Sequence, residues 1–205
     1  MLINLVYQKA TSMCFKKRLI IKAGLLTVII LACCLSALLA QSVVTRSAIT
    51  FEIKNLGIST GGSISGLLAD VHFTPANLNS STLEASVDVN TINTDNSSRD
   101  EHLRSEDFFD VLHYPKIALK SIAFKHKGGN NYIGTFTLTI KGKSKQIEIP
   151  FTYLDKENAF EFKGAFKINR VDFGVGSKSM ILADEVTVNI DCEEKKQESA
   201  QLSLP

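Results

Sequence analysis

Apolar and polar residues alternate along most of the chain after residue 48. In the first alternating segment, Ile49, Phe51 and Ile53 are separated by polar residues. This period of two is typical of a β-strand with one buried face and one solvated face. Eight such segments occur, at 49–53, 67–73, 83–89, 117–124, 132–140, 147–153, 160–168 and 186–192. The pattern predicts an all-β protein of eight antiparallel strands.

The connections between these segments are mostly short and have turn composition. Gly57 to Gly62 is expected to form a loop, because glycine, serine and threonine dominate it. Gly128–Asn130, Lys141–Lys143 and Asp155–Asn158 are expected to be tight turns. In the fourth strand the apolar parity changes near Lys120–Ser121, which predicts a β-bulge.

Eight amphipathic strands can close into a barrel or stack as a sandwich with Greek-key connections. An eight-stranded barrel is just wide enough to be filled by side chains or to hold one small ligand. The outward positions are glutamate, lysine, threonine and aspartate, so a membrane-spanning barrel with an apolar outer band is excluded. Periodicity alone leaves barrel and sandwich open.

One segment, about 97–113, breaks the strand pattern and is predicted to be helical. Ser98 with Glu101 fits a capping box, and Ser105 before two acids gives a second start signal. Tyr114–Pro115 should end the helix, since the residue before proline is pushed to an extended conformation. The segment presents Leu103, Phe108, Phe109 and Leu112, and we interpret it as a lid over one end of the β-structure.

The inward face of the predicted strands is unusually aromatic. The predicted barrel lining consists of Phe51, Phe73, Val87, Phe124, Phe136, Leu138, Phe151, Tyr153, Phe162 and Phe166. These side chains could fill the barrel as a solid core or line a tunnel for a lipid. The inward positions of Gly134 and Gly164 leave room and favour the tunnel.

Candidate polar chemistry is concentrated in the lid. Arg99, Asp100 and His102 are expected at the mouth, where they could meet the polar head of a ligand. The alternative is a structural ion pair that holds the lid, to Arg170 or Asp172. The four histidines have no metal-ligand spacing, and no nucleophile elbow or close carboxylate pair is present, so we expect neither a metal site nor a catalytic residue.

Residues 1–40 have the pattern of an export signal. A basic cluster at 16–18 precedes a long apolar run that ends near Ala40. Cleavage after Ala40 is favoured, while lipid attachment at Cys33 or retention as an N-terminal anchor stays open. Each alternative exports the body, so a periplasmic or secreted location is expected. Glu193 to Pro205 is predicted to be a disordered tail.

Charge argues against nucleic acid as a partner. Residues 1–40 hold five of the 23 basic residues and no acid, which leaves 18 basic and 21 acidic residues in the remainder. A mildly acidic body without a basic stripe is not a typical nucleic-acid binder. Cys192 is the one cysteine after residue 40, and it is expected to be a buried apolar side chain.

The sequence around the lid resembles a known family. Residues 99–115 have the sequence RDEHLRSEDFFDVLHYP, and Thr94, LTIKGKSK at 138–145 and INRVDFG at 168–174 accompany it in order. Together these motifs resemble the signature of the YceI-like family, over roughly residues 47–192. The family's opening Tyr-x-x-Asp is absent here. The resemblance implies a lipocalin-like barrel in residues 41–192 that binds a polyisoprenoid lipid.

From these observations we expect an exported binding protein, not an enzyme. Its ligand would be a long apolar lipid, such as a polyisoprenoid or an isoprenoid quinone, and no other cofactor is expected. Membrane contact is expected through the leader or with the membrane as lipid source, and a homodimer is possible. Two alternatives stay open: a filled barrel that acts as a stress-linked interaction module, and an enzyme acting on a bound lipid.

Overall fold

The computed structural model describes residues 44–196, so the predicted signal segment at 1–40 lies outside the described residues. Nine antiparallel strands and one short α-helix make up this part of the chain. In order they are β1 (Val44–Asn55), β2 (Ile58–Ile64), β3 (Leu68–His72), β4 (Thr82–Asp88), α1 (Ser97–Arg104), β5 (Lys116–Gly128), β6 (Asn131–Ile140), β7 (Lys143–Asp155), β8 (Ala159–Asn169) and β9 (Leu182–Lys195). Single 3-10 turns follow β4 and β8, and one precedes β4. The predicted all-β class is confirmed.

The strands form one curled sheet in the order β2-β1-β9-β8-β7-β6-β5-β4-β3. Its two edge strands, β2 and β3, are consecutive in the chain and run in the same direction, since each is antiparallel to its neighbour. Ser65 to Leu67 connect them, with Gly66 at a positive φ of 73°. A single kinked segment, 58–72, therefore pairs with β1 by its first half and with β4 by its second half. Counted as one bent strand, it gives the predicted eight-stranded barrel.

The predicted loop at Gly57–Gly62 is wrong, because most of it belongs to strand β2. Asn55 pairs with Ile58, so Leu56 and Gly57 form a two-residue hairpin turn with φ values of 51° and 79°. Positive φ at both central residues is the geometry of a type I′ turn, which matches the twist of a hairpin. The polar composition indicated a loop, although the backbone of these residues pairs with β1.

The predicted bulge in β5 is confirmed. The register between β5 and β6 shifts between Ser121 and Ala123. The extra residue turns Ile122 outward, where its side chain is exposed, and restores Phe124 to the inside. This is the effect that a bulge has on side-chain parity.

The helical segment is shorter than predicted and begins at a different cap. Asn96 is the N-cap, and its side-chain oxygen accepts a hydrogen bond from the Arg99 amide at 3.0 Å. The predicted capping box at Ser98 is therefore wrong, because the N-cap lies two residues earlier. Asparagine is as good an N-cap as serine. Ser105 ends α1, and the chain continues to His113 in hydrogen-bonded turns. Leu112, predicted to face the barrel, is exposed.

The end of the barrel also differs from the prediction. Strand β9 extends to Lys195 and pairs with β8 as far as Ala159, so residues 193–195 do not belong to a disordered tail. The rest of the predicted tail, from 197, lies outside the described residues. No helix within residues 44–196 is long and apolar enough to cross a bilayer.

Candidate functional site

The interior of the barrel contains a cavity of about 410 Å³ on the side of the lid. Its walls come from the inward positions of the strands and from the lid. Most of the lining side chains are aliphatic, and they include Ile49, Ile53, Ile64, Leu67, Val71, Leu83, Val87, Ile117, Leu119, Leu138, Ile140, Ile149, Ile168, Leu182, Val186, Val188 and Ile190. A volume of this size is in the range of small-molecule sites in proteins.

The inward side chains show that this half of the barrel is hollow. In β9, Val186, Val188 and Ile190 face the interior, yet each remains partly accessible. The same is true of Ile117 and Leu119 in β5. Inward aliphatic side chains in a filled barrel would be fully buried, because protein interiors are close-packed. Apolar surface is therefore available to a ligand.

Aromatic rings pack together at the other end of the barrel, and we call this cluster the plug. Phe73, between β3 and β4, lies at its centre, with ring centroids 5.0 Å from Tyr153, 5.1 Å from Tyr132 and 5.3 Å from Phe124. Phe151 and Phe162 complete the plug, at 5.6 and 5.9 Å from Phe73. Most of these pairs are edge-to-face or tilted, which is a favourable geometry for aromatic pairs.

The plug separates the predicted lining residues into two groups. Phe73, Phe124 and Tyr153 do not line the cavity, so their predicted position on its wall is wrong. The seven predicted residues that do line it are Phe51, Val87, Phe136, Leu138, Phe151, Phe162 and Phe166. Phe151 and Phe162 contact both the plug and the cavity, and so form the cavity floor.

The two inward glycines have different roles. A Cβ at Gly134 would lie 2.3 Å from Cε2 of Phe136, so this glycine makes room for the Phe136 ring and not for a ligand. Gly164 lines the cavity, and a Cβ there would contact Ile149 and Phe151 at 3.3 to 3.4 Å. The expectation that Gly134 opens the tunnel is therefore wrong, and for Gly164, which lines the cavity, it stays a prediction.

The lid is held by two side chains around Thr94. The buried Asp100 carboxylate accepts hydrogen bonds from the Thr94 amide, at 2.9 Å, and from the Thr94 hydroxyl, at 2.5 Å. The same hydroxyl accepts a hydrogen bond from Nε of Arg99 at 2.8 Å, and Nη2 of Arg99 donates to the Thr94 carbonyl. This arrangement fixes the guanidinium at the cavity wall. Nη1 of Arg99 has no hydrogen-bond partner within residues 44–196.

The predicted link from the lid to the second motif is wrong. Asp172 pairs with Lys145 at 2.9 Å, and Arg170 pairs with Asp184 at 3.2 Å. The buried Arg170 guanidinium also donates to the carbonyls of Val175, Ser177, Leu182 and Ala183. Arg170 therefore holds the loop after β8 against the start of β9, and Asp100 acts within the lid.

The remaining lid residues are placed as predicted, around the cavity. Leu103, Phe108 and Phe109 lie partly buried against it, and His102 lies at its border with an exposed side chain. The His102 and Phe108 rings are in edge-to-face contact, with centroids 4.9 Å apart. The polar lining residues Asn55, Thr60 and Thr94 lie at this same end. The cavity is thus apolar along its length and polar at its mouth.

Two titratable groups near the plug are shifted by their surroundings. Burial raises the pKa of the Cys192 thiol to about 11, with a smaller contribution from Asp191 and Glu194. Burial also raises the pKa of Tyr153 to about 12, and nearby Asp155 adds to the effect. Cys192 borders the cavity, so its thiol is a neutral, apolar part of the wall at neutral pH.

Several residues of the site were missed from the sequence. The aliphatic wall is the largest omission, although its members follow the same inward parity as the aromatic residues. Thr94 and Arg170 were visible as parts of the motifs, but their contacts to Asp100 and Asp184, which are six and 14 residues away, could not be identified from the sequence. Asn55 and Thr60 are polar residues at a hairpin end and carried no signal of their own.

Comparison with protein families matches the YceI-like domain over residues 41–194. A UPF0312 protein of Vibrio cholerae is 26% identical over 137 residues, which are 63% of this chain and 72% of the relative. Among solved structures, BcnA of Burkholderia cenocepacia superposes with a TM-score of 0.69 at 28% identity, over 72% of this chain and 95% of that one. A polyisoprenoid binding domain from Saccharophagus degradans, implicated in plant cell wall breakdown, has a TM-score of 0.60 over 76% of this chain and 97% of its own. Its identity is 12%, so it shares the fold.

Proposed function

Because the chain belongs to the YceI-like domain family, we propose that it is an exported binding protein that holds a long apolar lipid, a polyisoprenoid or an isoprenoid quinone, inside its barrel. The observation that carries this proposal is the aliphatic cavity below the lid, where inward wall side chains such as Val186, Val188 and Ile190 remain partly accessible. The Saccharophagus degradans domain of the same fold is named as a polyisoprenoid binder, which supports the choice of lipid.

Burial of the lipid chain supplies the affinity. Each methylene moved from water into the cavity contributes about 0.8 kcal/mol, so about ten of them contribute about 8 kcal/mol. That is the binding free energy of a roughly micromolar complex, before the costs of ordering the chain are subtracted. A flexible apolar chain can therefore be held without a strong polar contact.

The polar mouth suits the other end of such a lipid. Arg99 presents Nη1 at the cavity wall, and His102 borders the same region. A ring carbonyl or a phosphate would accept a hydrogen bond from the guanidinium, while the apolar chain extends toward the plug. Arg99 and His102 are thus proposed to orient the head group, and Asp100 to position Arg99 through Thr94.

The structure favours the hollow barrel over the filled one. Aromatic rings fill the end around Phe73, as a solid core requires, but they stop at Phe151 and Phe162. The binding proposal also accounts for a mouth that has polar groups but no arrangement of a nucleophile with a base among the described residues. We therefore propose a carrier or storage protein rather than an enzyme.

A cavity-filling substitution tests the proposal. Ala85 lines the cavity from β4, whereas Ala118 on the neighbouring strand β5 points outward. Ala85→Phe should remove the bound lipid by occupying its space, with folding kept, and Ala118→Phe should have no effect on binding. The measurement is native mass spectrometry of the full chain, with the organic extract analysed beside it. A prenylated compound that is present in the wild type and Ala118→Phe, and absent from Ala85→Phe, is expected; equal occupancy in all three contradicts the proposal.

A further inference from the structure

Four apolar side chains are exposed together at the rim of the barrel. We call Leu56, Ile58, Met180 and Ile181 the rim patch; their exposed fractions are 71%, 71%, 104% and 57%. The Leu56 amide donates a hydrogen bond to the Ile181 carbonyl at 2.7 Å. This bond joins the β1–β2 turn to the loop before β9, so the two segments form one surface.

The rim patch lies beside the mouth of the cavity. Asn55 and Leu182 pair in the β1–β9 ladder, and both line the cavity. Each is the chain neighbour of a rim-patch residue, Leu56 and Ile181 respectively. Exposed apolar surface is thus continuous with the apolar lining, across the edge of the barrel.

Leu56 is an unusual residue for its position. Its φ of 51° is left-handed, and glycine, asparagine and aspartate are the residues that favour such a turn position. A leucine there costs backbone strain and also leaves its side chain in water. A residue that conflicts with both local conformation and burial marks a functional position.

The charges around the rim patch suit an anionic surface. Lys54 precedes the turn and Lys178 lies in the loop before β9, and both are exposed. Neither lysine takes part in any ion pair of residues 44–196. The acids at the start of β9 are already paired, Asp184 with Arg170 and Glu185 with Lys167. Apolar side chains flanked by free basic ones are typical of surfaces that sit in the head-group region of a bilayer.

We propose that the rim patch docks the barrel, mouth first, onto the surface of a lipid bilayer that contains anionic lipids. In that orientation the four side chains enter the acyl boundary while Lys54 and Lys178 meet head groups. A lipid can then pass between the bilayer and the cavity without crossing water. The benefit for lipid transfer rests on the proposed function, whereas the docking itself does not require an occupied cavity.

The chain contains no tryptophan, so a single introduced one reports on docking. Met180→Trp in the full chain should show a blue shift and quenching by brominated acyl chains when vesicles of phosphatidylcholine and phosphatidylglycerol are added. Leu154→Trp, near the end of β7 at the plug end, is the matched control and should show neither. Residues 1–43 are the same in Met180→Trp and Leu154→Trp. Any affinity of this segment for vesicles therefore acts on both variants and cannot produce a difference between them.

A second substitution in the Met180→Trp background removes one side chain of the patch and should leave the barrel folded. Leu56→Asn places in the left-handed position a residue that accepts it, so thermal stability should be unchanged or higher. Removing one leucine that would enter the bilayer on docking should weaken binding to vesicles, and with it the quenching, about tenfold. Added salt should weaken it further, because the lysines act through charge.

Three outcomes would overturn the proposal. They are equal quenching at positions 154 and 180, unchanged quenching after Leu56→Asn, and a blue shift at position 180 that grows with protein concentration without vesicles, which would mean that a second copy covers the patch. Native mass spectrometry of Met180→Trp separates this proposal from the proposed function. If that protein does not dock on vesicles while its lipid occupancy persists, the docking proposal is wrong and the proposed function is not.

Discussion

The two ends of the barrel are built from the same strands but follow different packing rules. At the plug end, the ring of Phe73 contacts five other rings. At the lid end the inward residues are smaller and aliphatic, and about 410 Å³ between them is unfilled. The rings at one end are thus packed against each other, while the inward strand residues at the other end surround a space. Inward-facing residues of one sheet can therefore divide into a packed set and a cavity-lining set along the barrel axis.

Removing one ring from each end should give the largest difference between the two ends, measured as the loss of unfolding free energy. Phe73→Ala takes away the centre of the plug and should cost about 3 kcal/mol of unfolding free energy, since the surrounding rings cannot collapse into the space. Phe166→Ala removes a ring that already borders the cavity and should cost about 1 kcal/mol. Urea denaturation of both variants checks this. Equal losses would mean that the two ends are packed alike.

Breaking the lid contact should affect one end alone. Asp100→Ala leaves the Thr94 amide without its buried acceptor and should cost about 1 to 3 kcal/mol. Hydrogen exchange should become faster in residues 94–104, with the plug strands unchanged. Because Arg99 loses its positioned partner, we also expect weaker retention of the lipid in native mass spectrometry.

Two controls separate these effects. Asp100→Asn keeps one oxygen acceptor and should be milder in both measurements, whereas Arg99→Met should weaken lipid retention with less effect on exchange. Faster exchange throughout the barrel in Asp100→Ala would contradict a local role of the lid contact.

The smallest expected effect is a pH dependence of the unfolding free energy, which arises from a plug residue. Since folding raises the pKa of Tyr153 from about 10 to about 12, the folded state holds the phenol proton more tightly. The contribution of Tyr153 is complete below about pH 10 and is lost as the pH rises toward 12. Tyr153→Phe should therefore flatten the fall in unfolding free energy between pH 9 and about 11.5. Both proteins should carry Cys192→Ala, because that thiol also titrates here; an unchanged slope would exclude Tyr153 as its source.

The sequence predicted much of the barrel but not its division into two ends. Alternation identified the strands, and the parity change located the bulge that returns Phe124 to the interior. Parity states which side of a sheet a residue faces, but its height along the barrel depends on the register between strands. For that reason Phe73 and Phe166, which have the same parity signal, were assigned to one wall although they lie in different environments.

The misses in the lid and in β2 have a similar origin. Asn96 and Ser98 are both acceptable caps, and the choice between them follows from where the helix must lie against Thr94. Strand β2 has few large side chains, and Gly62 lies so close to Phe51 and Asn93 that a Cβ would meet both within 2.7 Å. Composition therefore indicated a loop at a place where close backbone approach requires glycine.

The strand order also decides when the barrel can form. Within residues 44–196, every ladder joins strands that are consecutive in the chain, apart from the one between β1 and β9. The consecutive ladders close loops of at most 27 residues, the longest being 89–115 between β4 and β5, whereas the β1–β9 ladder must bring the two ends of the domain together. Closure of the cylinder is thus the slow, non-local event of folding and has to wait until β9 has been synthesised. During synthesis, this chain can therefore form hairpins before the barrel closes around its interior.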